Sequence, residues 1–200
     1  MGYHMLIFAQ SDADVPVAEL QECLEDNGID AKFEVCVGKP DHWTQIELMH
    51  PNDHAISLIE KVTGKRAQSW LKAEIENLAE AEPATAARWL EAYLPRTRAI
   101  YDFQILSGTD IDDGWEAVWT TQGKIRLTLG GLLHAEGEGF SNESGEHITW
   151  EFSDSVSGQW NMAVFDPATG EWMRFRMELG DPHHREAFRA GRIPDGLKTC

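Results

Sequence analysis

Cysteine is scarce in this chain, with three residues far apart at Cys23, Cys36 and Cys200 and no C-x-x-C pair. An odd, widely spaced set argues against a disulfide framework and against a zinc knuckle. Cys23 and Cys36 have apolar neighbours, so we predict that both are buried free thiols. A bridge between those two is the less favoured alternative.

Long apolar runs are also missing. No stretch reaches the roughly 18 to 20 consecutive apolar residues that span a bilayer, and no charged segment precedes a long apolar one as in a secretory signal. We therefore expect a cytoplasmic protein with no membrane partner. The residues ahead of Met5 resemble a remnant of a cloning tag, so the first domain is expected to begin at Met5.

Basic residues are half as numerous as acidic ones. The chain has 17 Lys and Arg against 34 Asp and Glu, for a formal net charge of −17. The excess lies in two segments, residues 5–60 with 12 acids and 2 bases and residues 102–178 with 14 acids and 4 bases. Such a field repels nucleic acids and anionic membranes and attracts basic proteins. The alternative interpretation is that acidity only keeps the protein soluble.

Sequence signatures of nucleotide binding and catalysis are missing as well. Gly64-Lys65 and Gly123-Lys124 lack the other residues of a phosphate loop, and no complete G-x-G-x-x-G is present. Neither a G-x-S-x-G nucleophile motif nor an H-E-x-x-H zinc motif occurs. We therefore expect no cofactor and no nucleic-acid partner, and an enzyme is the less favoured class.

The first half of the chain alternates between strand-like and helix-like patterns. Short apolar or alternating runs predict strands at Met5–Gln10, 33–37, Trp43–Met49 and 98–106. Capping residues and helical spacing predict helices after Pro16, from Asn52 or Asp53 to Val62, and over 65–94. The order β-α-β-β-α-β, with a helical insertion before the last strand, predicts an α+β domain of ferredoxin-like layout over residues 5–106.

The second half is richer in turn residues and in short alternating runs. Six strands are predicted, at Trp115–Thr121, Lys124–Gly130, Leu132–Gly137, His147–Phe152, Gln159–Phe165 and Glu171–Glu178. Together with a helix over Pro182–Ala190 they predict an antiparallel β-meander over residues 115–190, which is either a second domain or a continuation of the first. Residues 191–200 are predicted to be a mobile tail.

Two groups of carboxylates form the candidate partner-binding surface. They are Asp110, Asp112 and Asp113 before Gly114, and Glu136, Glu138, Glu143 and Glu146 in the predicted meander. The aspartates resemble a calcium loop in composition, but Thr121 stands where an EF-hand needs its closing glutamate. A solvated acidic turn is therefore the favoured interpretation of that segment.

His134 and His147 flank residues 137–146 and are the candidate ligand-binding or metal-binding residues. If their strands paired as a hairpin, the two imidazoles would approach each other beside the glutamates of the meander. Imidazole and carboxylate ligands suit zinc, iron or manganese. Surface or capping histidines are the favoured alternative.

Five of the eight tryptophans lie in the second half, at positions 115, 119, 150, 160 and 172. Packing within the sheet is the favoured role, and an exposed aromatic binding face is the alternative. Arg174 and Arg176 lie two residues apart on one predicted strand and so share a face. We expect them to pair with carboxylates of the meander, and an anionic ligand is the less favoured partner.

These observations support three hypotheses. The leading one is an acidic, non-catalytic protein-binding module that engages a basic protein, as an immunity protein or an inhibitor of a nucleic-acid-binding protein does. The alternative is a small enzyme or ligand-binding protein with a pocket lined by His134, His147 and glutamates of the meander. A third possibility is an oligomeric structural protein.

Overall fold

The computed structural model describes residues 2–199 and confirms that the protein is of mixed α and β structure. Its chain forms two compact units. The first unit runs to Gln68 and resumes over Thr97–Gly131, and the second comprises Ser69–Arg96 and the chain from Leu132 onward. Much of the helical segment predicted within the first domain therefore belongs to the second unit.

A large antiparallel sheet dominates the first unit. Its strands are β1 (Tyr3–Ala9), β2 (Lys32–Lys39), β3 (His42–Met49), β4 (Ala55–Val62) and β5 (Ala99–Ile105). Their spatial order is β2-β3-β4-β5-β1, and each neighbouring pair is antiparallel. The register places Ile7 opposite Tyr101 and Ile59 opposite Phe103, and all four side chains are buried. These cross-strand pairs stabilise the sheet.

The predicted ferredoxin-like layout does not match this strand order. The segment Ala55–Val62, predicted as a helix, is strand β4. Three strands therefore separate helix α1 (Val17–Asp26) from helix α2 (Gly64–Asn77). The spacing of the isoleucines in β4 also fits one face of a helix, but β-branched residues favour strands. Pairing with a strand on each side buries those residues.

The two strands predicted over Trp115–Thr121 and Lys124–Gly130 are wrong, because this segment is the single helix α4 (Gly114–Leu129). Its buried residues recur with the helical period, at positions 114, 117, 118, 121, 122, 125 and 129. Gly123, which was interpreted as a turn residue, lies within the helix and faces open space. None of the helices within residues 2–199 is both long and apolar enough to cross a membrane.

The second unit contains two β-hairpins and the helices α3 (Ala84–Tyr93) and α5 (Pro182–Arg189). Besides these helices and the part of α2 from Ser69 onward, its elements are β6 (Leu132–Ala135), β7 (Gly139–Ser141), β8 (Gln159–Asp166) and β9 (Glu171–Glu178). Strand β6 pairs with β7 and strand β8 pairs with β9, both antiparallel. The predicted strands at Gln159–Phe165 and Glu171–Glu178 are confirmed. The predicted strand His147–Phe152 is wrong, because that segment forms isolated bridges to Ser141 and Met162.

An apolar core lies beneath the β8–β9 hairpin. Its buried residues are Trp150, Phe152, Met162, Val164, Phe175, Met177, Leu179 and Phe188. Helix α5 contributes Phe188, and Asp181 caps that helix by accepting hydrogen bonds from the backbone N–H groups of His183 and His184. Ile193 and Leu197, in the segment predicted as a tail, pack against this core.

The cysteines differ in exposure. Cys36 is exposed on β2, so its predicted burial is wrong. The reason is that β2 lies at the end of the strand order, where its residues from Cys36 onward all face solvent. Cys23 is half-buried on α1. Both are free thiols, so no disulfide joins them. Cys200 lies outside the described residues.

Candidate functional site

Asp110, Asp112 and Asp113 lie together on the surface of the first unit. A single 3₁₀ turn over Ser107–Asp110 leads through Ile111 into the start of α4. All three aspartates are exposed, and among residues 2–199 none of them forms an ion pair. Their charges are therefore uncompensated by contacts within the part of the chain that the structure describes.

The backbone of this turn is tightly packed. A Cβ atom on Gly114 would lie 2.5 Å from the carbonyl oxygen of Gly108, so only glycine fits there. Asp113, which directly precedes Gly114 at the start of α4, has a left-handed φ of 64°. Non-glycine residues seldom adopt this conformation, and aspartate is among those that tolerate it. The Asp113 carboxylate does not cap α4 with a hydrogen bond, so it stays available at the surface.

An exposed tryptophan stands beside these carboxylates. Trp119 is 54% exposed, although most tryptophans in folded proteins are largely buried. It lies one helical turn after Trp115, and their rings stack with centroids 5.8 Å apart and planes 27° apart. The ring of Tyr3 meets that of Trp115 edge-on at 6.2 Å. This stack holds the Trp119 side chain in a defined position while leaving it open to solvent.

Trp119 helps to line a pocket of 280 Å³ within the first unit. We call it the Trp119 pocket, and it is lined by Asn27, Gly28, Ile29, Asp113, Glu116, Trp119 and Thr120. Two carboxylates and one indole contribute to it, and the lining contains no Lys or Arg. Lys124, further along α4, is engaged by Glu19 at 3.1 Å. The pocket is therefore negative and aromatic at once.

The four candidate glutamates of the second unit lie in different environments. Glu136 is exposed and Glu138 is half-buried. Glu143 accepts a hydrogen bond of 2.6 Å from the Tyr93 hydroxyl. Glu146 forms an ion pair with Arg174, with 3.4 Å between its Oε1 and the arginine Nε, as was predicted for that arginine. These four residues therefore form no uniform acidic surface.

His134, on β6, lies between two carboxylates. Its Nε2 is 3.0 Å from Glu151 Oε1, and its Nδ1 is 3.4 Å from Glu74 Oε1. Burial by itself lowers the pKa of His134, but the hydrogen bond to Glu151 and the charges of Glu74, Glu151 and Glu136 outweigh burial and raise this pKa above its ordinary value. Burial also raises the pKa of the Glu74 carboxyl, against the opposing charge of His134.

His147 has different surroundings from His134. Its ring meets Trp160 edge-on at 4.6 Å and lies 5.4 Å from the ring of Phe152. The residue is 8% exposed, and its Nδ1 has no hydrogen-bond partner among the described residues. Burial lowers the pKa of His147 to about 4, so its imidazole is neutral at pH 7. The hairpin that was expected to join the strands of His134 and His147 is absent from the described chain, since β6 pairs with the short strand β7 instead.

Metal binding has no preformed site in the part of the chain that the structure describes. Within residues 2–199 no group of three or more His, Cys, Asp and Glu side chains is placed to hold a metal ion. His134 meets two carboxylates, but His147 is surrounded by aromatic rings. The two histidines therefore do not form a common ligand set.

Sequence reasoning missed the partners that define these sites. Glu116 and Trp119 were placed on a strand, where residues three apart point to opposite faces. The spacing of Trp115 and Trp119, four residues apart, was the available signal for a shared helical face. Glu74 and Glu151 are 60 and 17 residues from His134 in the sequence, and no local pattern indicates such contacts.

Comparison of the chain with protein-family models, with curated proteins and with solved structures finds no match. The functional argument therefore depends on the geometry of the sites described above.

Proposed function

We propose that this protein is an acidic, non-catalytic binding module that engages a basic protein through the Trp119 pocket. The observation that carries the proposal is the exposed Trp119 beside Asp113 and Glu116, in a pocket whose lining holds no basic side chain. Asp110 and Asp112 add uncompensated charge in the adjoining turn.

The chemistry of the pocket suits an arginine or lysine side chain of the partner. A cation over the face of an indole is attracted by the ring quadrupole, and tryptophan is the best aromatic partner. Asp113 and Glu116 supply charge-assisted hydrogen-bond acceptors for the same cation. The volume of 280 Å³ lies at the low end of the roughly 300 to 1,000 Å³ of small-molecule sites, which suits a group as small as a single side chain.

The charge of the whole chain supports the same partner class. A formal net charge of −17 attracts basic proteins over a distance and increases their rate of association. This attraction is screened within about 8 Å at physiological salt, so it steers the encounter, whereas the pocket provides the specific contact. Association is therefore expected to weaken as salt rises.

The experiment uses the full chain and a nine-residue arginine peptide as the basic probe. Affinity is measured by isothermal titration calorimetry at low and at high salt, and the binding surface is mapped by amide chemical shifts. We expect binding that weakens at high salt and shifts concentrated at residues 27–29 and 110–120. Trp119→Ala is expected to weaken binding about two- to fivefold, because an exposed cation–π contact contributes about 0.5 to 1 kcal/mol.

Matched charge variants test whether binding depends on the Trp119 pocket or only on the overall negative charge of the chain. Asp112→Asn with Asp113→Asn removes one charge of the pocket lining and one of the adjoining turn. Glu91→Gln with Glu171→Gln removes two exposed charges in the second unit. The first pair is expected to weaken binding more than the second. Equal effects of the two pairs, together with unchanged affinity of Trp119→Ala, would refute a role for the Trp119 pocket.

The alternative of an enzyme acting through His134 has one supporting observation. An imidazole whose pKa is raised, between two carboxylates, is arranged to donate and accept protons. Hydrolysis of chromogenic esters, phosphate esters and glycosides by the wild type and by His134→Ala tests this alternative. Turnover that is lost in the variant would support it, and no turnover, or turnover that the variant retains, would count against it.

A further inference from the structure

A second aromatic pocket lies in the second unit, where three elements meet. Trp89 and Tyr93 are four residues apart on α3 and so share a helical face, and their rings stack at 4.7 Å with planes 25° apart. Trp172 projects from β9, and its ring meets that of Trp89 at 5.0 Å with planes 79° apart. The two indoles therefore form perpendicular walls, and the Tyr93 ring stacks on that of Trp89.

The turn after β7 supplies the polar side of this pocket. Glu143 lies in that turn, and its carboxylate accepts the hydrogen bond from the Tyr93 hydroxyl. Among the described residues Glu143 forms no ion pair, so its charge is not compensated there. Asn142 lies next to it and completes this side. We call the site the Trp172 pocket, and its volume is 230 Å³.

Arg174 is the one cation in the lining, and its charge is already balanced. Its Nε lies 3.4 Å from Glu146 Oε1, and its Nη2 donates a hydrogen bond of 2.8 Å to Ser144 Oγ. The other carboxylate oxygen of Glu146 is buried and has no hydrogen-bond partner among the described residues. The lining therefore holds one carboxylate and one guanidinium, and because Glu146, outside the lining, balances Arg174, Glu143 supplies the unbalanced negative charge beside the aromatic walls.

We propose that the Trp172 pocket binds a methylated ammonium group, either a quaternary ammonium of a small molecule or a trimethylated lysine side chain. Perpendicular tryptophan rings with a nearby carboxylate are the arrangement that attracts such cations, because the ring faces replace water around the methyl groups. An ordinary ammonium group is more strongly hydrated and needs hydrogen-bond acceptors on several sides. The carboxylate and amide acceptors of the lining lie in the turn after β7 and the indole walls provide none, so the pocket favours the methylated form.

The test compares cations with neutral molecules of the same shape. Tetramethylammonium, choline and a peptide containing trimethyllysine are titrated into the full chain by calorimetry, and the indole N–H signals of Trp89 and Trp172 are followed by NMR. Two matched peptides serve as controls. One has unmodified lysine in place of trimethyllysine, and the other has the uncharged tert-butyl isostere of trimethyllysine. We expect trimethyllysine to bind at least tenfold more tightly than either matched peptide.

The two sources of the group are distinguished by their relative affinities. A peptide that binds more tightly than choline would assign the site to methylated proteins, and the reverse order would assign it to small quaternary amines. Equal binding of the cation and its neutral isostere, binding of glucose with the same indole shifts, or no shift with any probe would overturn the proposal.

Variants of the chain test the residues of the pocket. Trp172→Ala is expected to lower affinity at least tenfold. Glu143→Gln keeps an acceptor for the Tyr93 hydroxyl while removing the charge, and we expect a two- to fivefold loss with normal folding. Leu127→Ala, at an exposed position in the other unit, is the matched control and should bind like the wild type. Unchanged affinity of Glu143→Gln and of a folded Trp172→Ala would refute the site, independently of the result for the Trp119 pocket.

Discussion

The neutral, buried imidazole of His147 makes the protein sensitive to acid. Folding places the ring against Trp160 and Phe152 and lowers the pKa of His147 from 6.5 to about 4. The group therefore contributes stability above its unfolded pKa, and that contribution is lost as pH falls from 6.5 through 4. His147→Phe keeps a ring in this position and removes the titrating group.

The magnitude follows from the two pKa values. In this pH range the unfolded chain binds up to one proton more than the folded chain, so the free energy of unfolding falls by at most about 1.4 kcal/mol per pH unit. Between pH 7 and pH 4.5 the His147 contribution amounts to about 2 kcal/mol. At pH 7 the variant should be as stable as the wild type or more stable, because the Nδ1 atom that it loses has no hydrogen-bond partner among the described residues.

Urea denaturation of both proteins at several pH values measures this effect. The difference between their free energies of unfolding isolates His147, because the other titrating groups are common to both. His54→Phe, at an exposed histidine, is the matched control and should follow the wild-type curve. Parallel curves for His147→Phe and the wild type between pH 7 and pH 4.5 would refute the argument.

Three further predictions concern other positions. Glu151→Gln removes the hydrogen-bonded charge beside His134, so an NMR titration should show a lower pKa for His134 than in the wild type. The raised pKa of His134 stabilises the folded protein below pH 6.5, and this contribution is lost as pH rises through the folded pKa. The variant should therefore have a smaller contribution of this kind. Gly108→Ala places a Cβ atom 2.5 Å from the carbonyl oxygen of Ala55, and urea denaturation should show a loss of about 1 to 3 kcal/mol. Gly123→Ala meets open space within α4, so the same assay should show a gain of about 0.5 to 1 kcal/mol.

The controls for these predictions come from the same chain. Glu91→Gln removes an exposed charge and should leave the pKa of His134 unchanged. The two glycine variants control for each other, because they make the same chemical change with opposite expected signs. A fall in stability for Gly123→Ala, or no change for Gly108→Ala, would contradict the contacts from which the signs are derived.

Local patterns predicted the elements whose sequence has one interpretation. The β8–β9 hairpin has two runs rich in apolar residues on either side of the turn at 166–170, and its second strand has the predicted bounds. Helix α5 was predicted from Pro182, and Asp181 caps it. In both cases the signal lies within a few residues, so no distant contact is needed to decide the structure.

Other segments carry patterns that fit two structures. Residues 55–62 have apolar residues at helical spacing together with β-branched side chains, and pairing with β3 and β5 selects the strand. Residues 114–129 alternate like strands around a central glycine, and packing against α1 and the sheet of the first unit selects the helix. The choice is made by partners that are distant in the sequence, which a local pattern does not contain.

The sequence by itself determined the acidity of this protein, its scarcity of cysteine and its mixed α and β structure, since these follow from composition and short-range patterns. Tertiary structure decided which charges and rings meet. It separated His134, held between Glu74 and Glu151, from His147, and it brought Trp89 and Trp172 together across 83 residues of chain. The physical reason is that pKa values and binding pockets depend on burial and on neighbours in space, and folding alone sets both.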